Sequence, residues 1–260
     1  NDKRLIVSEF DFDDVKSNLK TFLEAQSEFT DYNFEGSGIN VLLDVLAYNT
    51  HYLGFNMNML ANEMFLDSSS LRSSVVSHAK TLGYESASAR APKAIIDVTL
   101  FDSVKATASI PANTVFTTSI EDINYNFVTV TEFTAANTGS KIQFLGVPIY
   151  EGTFITSQYA VNSADVDQRF ILTNNRADTT TLTVAVQTSA TDTTTETYAK
   201  TTDISQINST SANYFLQEVE NGIHEVYFGD GVLGKSLTDG NIVVLTYVVT
   251  NRTAANRATT

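Results

Sequence analysis

The chain has 260 residues, 42% of them hydrophobic and 18% charged, which is enough length and apolar content for one large or two modest ordered domains. Thirty acidic against 16 basic residues give a formal net charge of −14, which argues against extensive phosphate-backbone contact and so against a nucleic-acid partner. The absence of cysteine excludes disulfides, thiolate metal sites and cysteine nucleophiles.

No run of about 18 apolar residues occurs, so no membrane insertion is expected. No charged-then-apolar leader opens the chain either. It begins at Asn1 without methionine and stops at "AANRATT" directly after an expected strand, which suggests a piece of a longer polypeptide.

The composition changes near residue 85. Before it, apolar residues recur at helical spacing; after it, short β-branched runs alternate with Thr, Ser, Asn and Gly. The join, "YESASARAPKA", is small and polar, with Pro92 as the boundary. The expected organisation is a helical assembly segment over 1–91 and an antiparallel β-rich region over 92–260, the latter open to division near 160–200.

The first helix is expected from about Asp13 to Glu28, capped by Asp11 or Asp13, with Val15, Leu19, Phe22 and Leu23 as its apolar stripe. "DFDD" lacks the glycine and later glutamate of a calcium loop. "EGSGI" does not have the nucleophile-elbow pattern.

The segment "GINVLLDVLAYNTHYLGFNMNMLANEMFLD" predicts one long helix. At 100° per residue, Asn40, Asp44, His51, Asn58 and Asn62 line one polar stripe, and Asn49, Asn56 and Glu63 line another opposite it. Between them lie two apolar faces. One carries Val41, Val45, Tyr48, Tyr52, Phe55 and Met59; the other carries Leu42, Leu46, Leu53, Met57, Leu60 and Met64. A helix with two apolar faces packs between things. Either the short neighbouring helices cover one face each, or the helix enters a bundle with other chains. For the bundle, the expected interface residues are Leu42, Leu46, Tyr52, Leu53, Phe55, Met57, Met59, Leu60 and Met64. Asn49, Asn56 and Asn58 are the candidates for fixing register, since a buried unpaired amide penalises wrong alignments.

A third helix should follow "DSSS", with Leu71, Val75, Ala79 and Leu82 inward and Gly83 just past its end. From Ala94 on, about ten strand candidates follow without a comparable helical period, so the sheets should be largely antiparallel. "EVENGIHEV" reads as an Asn-Gly hairpin, and "TSATDTTTETYAKTTD" as an exposed loop or edge.

"EVYFGDGVLGKSLTDGNIVVLTY" satisfies both nucleotide-binding spacings: Gly229, Gly234, Lys235 and Ser236 fit the phosphate loop, and Gly229, Gly231 and Gly234 fit the dinucleotide fingerprint. Both need a helix after the glycine turn. Only Leu237 and Thr238 separate Ser236 from the turn signal "DGN", after which a β-branched run resumes, so the match is judged false. The loop is expected to join two antiparallel strands. The three histidines, His51, His78 and His224, lack metal-ligand spacing. No catalytic, cofactor or metal site is expected.

"DYNFEGSGINVLLDVLAYNTHY" with "LRSSVVSHAKTLGY" resembles the N-terminal region of the baseplate wedge subunit of T-even-type contractile-tailed phages, the baseplate J-like family. "VYFGDGVLGKSLTDGNIVVLTYVVTNRTAAN" resembles the same family's glycine-loop hairpin. The likeness is strong over residues 10–92 and 222–256 and loose between them. It implies a virion structural protein of the tail baseplate, assembled in the bacterial host cytoplasm and helping couple host contact to sheath contraction. Its partners would be other copies of itself and other wedge subunits, with the sheath-initiating subunit a further candidate. The overall expectation is a non-enzymatic α+β protein: an N-terminal helical segment with one long two-faced helix, followed by largely antiparallel β-sheet. The rival reading is a carbohydrate-binding or adhesive β-protein, and an ATPase using Lys235 ranks third.

Overall fold

Asp11 starts the first helix, α1 (Phe12–Glu24), by accepting a hydrogen bond from the Asp13 N–H at 3.0 Å, and Asp13 and Asp14 place negative charge at the positive end of the helix dipole. Here and below, the structure is a computed structural model that describes residues 11–26, 36–120, 122–165, 168–201 and 203–256. It divides into two units, Asn1–Tyr84 and Glu85–Thr260.

In the first unit α1 ends at Glu24 with Ala25 as its C-cap, short of the expected end at Glu28, which lies outside the described residues. Phe12, Val15, Leu19 and Leu23 form the half-buried stripe, a regular 3-4-4 spacing, while Phe22 points away and is 64% exposed. The stripe packs on α2 (Gly38–Glu63), with a Lys16–Asp44 ion pair beside it. Ser37 caps α2, its hydroxyl accepting the Asn40 N–H at 3.1 Å. At 26 residues α2 is about 39 Å long and twice the length of α1, which has 13.

α3 (Arg72–Thr81) has no capping side chain of its own, since Leu71 stands at the cap position. The Glu63 carboxylate, at the end of α2, does that work by accepting the Ser70 and Leu71 N–H groups at 2.9 and 3.2 Å. The helix ends as the glycine signal predicts. Gly83 takes φ +76°, its N–H donates to Lys80 O and the Tyr84 N–H donates to Ala79 O, the paired bonds of a Schellman motif. Val75 and Ala79 are half-buried, but Leu71 and Leu82 are exposed and not inward as expected. α3 is held by polar contacts, the Glu63 cap and the His78 Nε2 at 2.9 Å from Glu63 O, so its end leucines have nothing to pack against.

The second unit is built on two cores. The first belongs to a four-stranded sheet of β1 (Lys93–Phe101), β3 (Val115–Ile120), β4 (Ile123–Val128) and β6 (Lys141–Glu151), in the order β1-β6-β4-β3. A ribbon of β2 (Thr107–Ile110) and β5 (Phe133–Ala136) lies with it. Ile110, Phe127, Ile142, Phe144, Val147 and Ile149 fill this core.

The second core belongs to seven strands: β7 (Thr153–Ala160), β8 (Phe170–Ile171), β9 (Ala177–Gln187), β10 (Thr195–Lys200), β11 (Asn213–Glu220), β12 (Ile223–Phe228) and β13 (Ile242–Val249). Their order is β7-β13-β9-β10-β11-β12-β8, and every pairing is antiparallel except β10 with β11. The two edges of this sheet meet. The Tyr159 hydroxyl on β7 donates to Ile171 O on β8 at 2.5 Å, and the Tyr159 and Phe170 rings meet edge to face. The sheet therefore curls around its own core of Leu172, Val184, Val226, Val243, Leu245 and Tyr247, all at most 1% exposed.

The chain passes from the first core to the second at Gly152, whose φ of +133° and backbone neighbour exclude any side chain: an added Cβ would lie 2.2 Å from Val249 O. Behind this crossing the fully buried Glu151 carboxylate accepts the Thr250 hydroxyl at 2.7 Å, the Asn251 N–H at 3.0 Å and the Asn251 amide at 2.8 Å.

The Asn-Gly hairpin forms as expected, with Asn221 and Gly222 both at positive φ between β11 and β12. The segment expected to be an exposed loop or edge instead contains β10, a strand inside the larger sheet whose one inward side chain, Tyr198, is 4% exposed. The glycine-rich loop is not a hairpin turn. It joins β12 to β13, which run antiparallel but are separated by β9, β10 and β11.

Candidate functional site

On α2 the covered stripe is Asn40, Leu43, Ala47 and Gly54, with Asn58, Ala61 and Asn62 half-buried further along. These positions share one side of the helix at 100° per residue. They coincide with the polar stripe read from the sequence, which carries small residues where neighbours come close. Asp44 on this side pairs with Lys16, while Glu63, on the opposite stripe, reaches the start of α3. α1 thus lines the Asn40 side, and the two apolar faces stay exposed.

Both apolar faces are open in the described residues. On one, Val41 is 55% exposed and Phe55 61%, and the rings of Tyr48, Tyr52 and Phe55 follow one another with centroids 5.6 and 6.4 Å apart. On the other, Leu42, Leu46, Leu53, Met57, Leu60 and Met64 are each between 49% and 65% exposed. Met59 is also about half exposed. Phe65, Leu66 and Leu71 extend the apolar surface past the helix end. Asn49 and Asn56 are exposed along the line where the two faces meet, seven residues apart. Asn58 is not with them: it sits half-buried on the covered side, where its carbonyl accepts the Asn62 side-chain amide at 2.7 Å. A contiguous apolar surface of this extent is characteristic of an interaction surface.

The glycine-rich loop has a different geometry from a phosphate cradle. The Gly231 N–H donates to Gly234 O, the Gly234 N–H to Asn208 O and the Lys235 N–H to Ser211 O. The Val232 and Leu233 N–H groups both donate to Asp230 Oδ1 at 2.9 Å, and these bonds hold the Asp230 carboxyl below its usual range. A phosphate would need those donors and would meet a carboxylate. The Lys235 ammonium is taken up by Glu196 on β10, a hydrogen bond that raises its pKa. Ser236 lies beneath Gly231 and no helix follows it. Gly229 is where the loop folds on itself, since an added Cβ would be 2.2 Å from Leu233 O.

Two further polar side chains, His224 and Arg169, are engaged within the fold. His224, 1% exposed, has Nδ1 3.1 Å from Gly222 O, and Arg169 Nε donates to Glu225 at 2.9 Å. Among the described residues no cluster of three or more His, Asp or Glu is placed to hold a metal, and no helix is long and apolar enough to cross a membrane.

The described residues thus combine an extended helix that carries an open apolar surface with a β region of two cores. Residues 11–84 match the family described as baseplate wedge protein gp6-like, helical domain. The chain is 29% identical over 268 aligned positions to the baseplate wedge protein gp6 of Enterobacteria phage T4, covering 95% of this chain and 39% of that protein. These matches bear out the resemblance to a baseplate wedge subunit. The chain spans about two-fifths of the length of that relative.

Proposed function

We propose that the chain is a structural, non-catalytic part of a contractile-phage tail baseplate wedge, located in the virion tail and assembled in the host cytoplasm. It joins copies of itself and other wedge subunits through α2, with the sheath-initiating subunit as a further partner, and helps couple host contact to sheath contraction. One observation carries this reading: α2 spends its small and polar side on α1 and leaves both apolar faces in water. Burying apolar surface contributes about 25 cal/mol per Å², so an exposed leucine or phenylalanine on such a surface is a reserve of association free energy. The likeness to a baseplate wedge protein supports the setting in which that reserve is used.

Leu53 and Leu60 lie on one apolar face, 59% and 65% exposed, so aspartate at either is tolerated by the isolated fold. Light scattering behind size exclusion, on the chain alone and co-expressed with other wedge subunits, tests the reading. Association is expected in the wild type and lost in Leu53→Asp and Leu60→Asp, with the β-sheet circular dichroism unchanged. Association that survives both substitutions, or a β region that melts with them, would overturn it.

A further inference from the structure

Residues 85–92 connect the helical unit to the sheets, and their composition, "ESASARAP", has the look of a slack linker. They are not slack. Lys200 Nζ, at the end of β10, lies 2.6 Å from Glu85 Oε1. His224 Nε2 lies 3.4 Å from Ser86 O. The Ser88 hydroxyl accepts both the Thr179 N–H at 3.0 Å and the Thr179 hydroxyl at 2.9 Å, and donates to Ala89 O. The Ala91 N–H donates to Asp178 Oδ2 at 2.8 Å, and Pro92 O accepts the Glu151 N–H at 2.9 Å. In eight residues the segment thus touches β10, β12, β9 and β6.

The bonding is polar throughout. No side chain from Glu85 to Pro92 is large and apolar, so almost no hydrophobic burial holds the segment down. The Ser86 hydroxyl, enclosed by the fold, has no hydrogen-bond partner, a cost to the docked arrangement that release into water would relieve. The Glu85–Lys200 pair is about one-third exposed on each side and is screened by water and salt. On the sheet side, both cores close without the segment: neither hydrophobic cluster includes any residue from 85 to 92.

We propose that residues 85–92 are a releasable strap: a polar latch along the two sheets that lets go without unfolding them. Released, eight residues reach about 26 Å at 3.3 Å each. The hydrogen bonds of Ser88 and Asp178 set the release equilibrium. This goes beyond the baseplate reading and is tested on the isolated chain, so the two stand or fall separately.

The experiment is limited trypsin digestion of the full chain at Arg90, followed by mass spectrometry, in the wild type, Ser88→Ala and Lys200→Ala, with circular dichroism and a thermal melt as controls. A docked strap resists cleavage after Arg90, and cleavage then tracks the population of the open form. Ser88→Ala strands two Thr179 donors and is expected to speed that cut roughly ten-fold at an unchanged sheet melting curve. Lys200→Ala is expected to speed it by a factor of about two to five. Equal rates in Ser88→Ala and the wild type would mean the strap does not gate Arg90, which overturns the proposal. A Ser88→Ala melt that falls with the cut would make the strap part of the sheet fold, which also overturns it.

Discussion

The ammonium of Lys235 lies 2.6 Å from Glu196 Oε2, tying the glycine-rich loop to the middle of the seven-stranded sheet. The residue that a phosphate loop would aim at a nucleotide instead closes an ion pair, and the loop N–H groups are spent on Asn208 O, Ser211 O, Gly234 O and Asp230. Titration calorimetry with MgATP is expected to give no saturable heat, with the wild type and Lys235→Ala alike. Because both partners are close to half exposed, losing the pair should change stability by less than about 1 kcal/mol. Saturable binding that disappears in Lys235→Ala would restore the nucleotide reading.

Gly229 and Gly231 look equivalent in the motif but not in space. A Cβ on Gly229 would meet backbone atoms, Leu233 O at 2.2 Å and Gly234 C at 2.5 Å, which cannot move without opening the loop. A Cβ on Gly231 would meet only the Ser236 hydroxyl at 3.4 Å, so its cost is the positive φ of +88°. Urea unfolding should show Gly229→Ala destabilising by about 3 kcal/mol and Gly231→Ala by about 1 to 2 kcal/mol. The reverse order would mean the loop is held from its tip and not from its neck.

These contrasts mark what the sequence could carry. Local signals read through correctly: the Asp11 cap, the stop at Gly83, the Asn221-Gly222 turn and the two-faced pattern of α2 each depend on residues within a few positions. Pairing order did not. β9 lies between β13 and β10, and nothing within "TLTVAVQT" specifies that neighbour. β10 was hidden because a strand on a curled sheet with a wet outer face needs few inward apolar side chains, and here Tyr198 serves alone. β2 and β5 are four residues each and built from Thr, Ala and Ser around one Ile and one Phe, too short to show a period. For α2, the pattern gave the faces but could not say that α1 takes the polar side, because the ion pair beside that contact joins Lys16 to Asp44, distant in sequence.

Glu63 couples the end of α2 to the start of α3 through its charge. Its carboxyl is lowered from 4.5 to about 2, first by the Ser74 hydroxyl and then by the Ser70 N–H. A carboxylate with a depressed folded-state pKa contributes stability that is fully present above its unfolded value and is lost as pH falls through the folded one. Attachment of α3 should therefore hold above about pH 5 and weaken from about 4.5 toward 2. The protection factor of the Leu71 amide, its exchange rate relative to an unfolded chain at the same pH, should fall as Glu63 protonates, and Glu63→Gln should show the lowered protection already at pH 7. A pH-independent Leu71 protection factor would remove Glu63 from the cap.

Asn49 and Asn56 stand seven residues apart, one heptad, where the two apolar faces of α2 meet. In an assembly that covers both faces they would be buried together, each requiring a partner amide, and a register that left one unpaired would cost about 1 to 3 kcal/mol. Asn58 lies half-buried on the covered side of the helix, away from that line. Replacing Asn49 and Asn56 together by leucine should tighten association, since apolar surface replaces amides, while spreading the product over more than one oligomeric state or register. Sedimentation velocity distinguishes the outcomes: broadened or multiple boundaries at higher affinity support a register role. A single species of unchanged stoichiometry and affinity would mean both amides stay in water at the rim, leaving the flanking apolar faces to set alignment by shape alone.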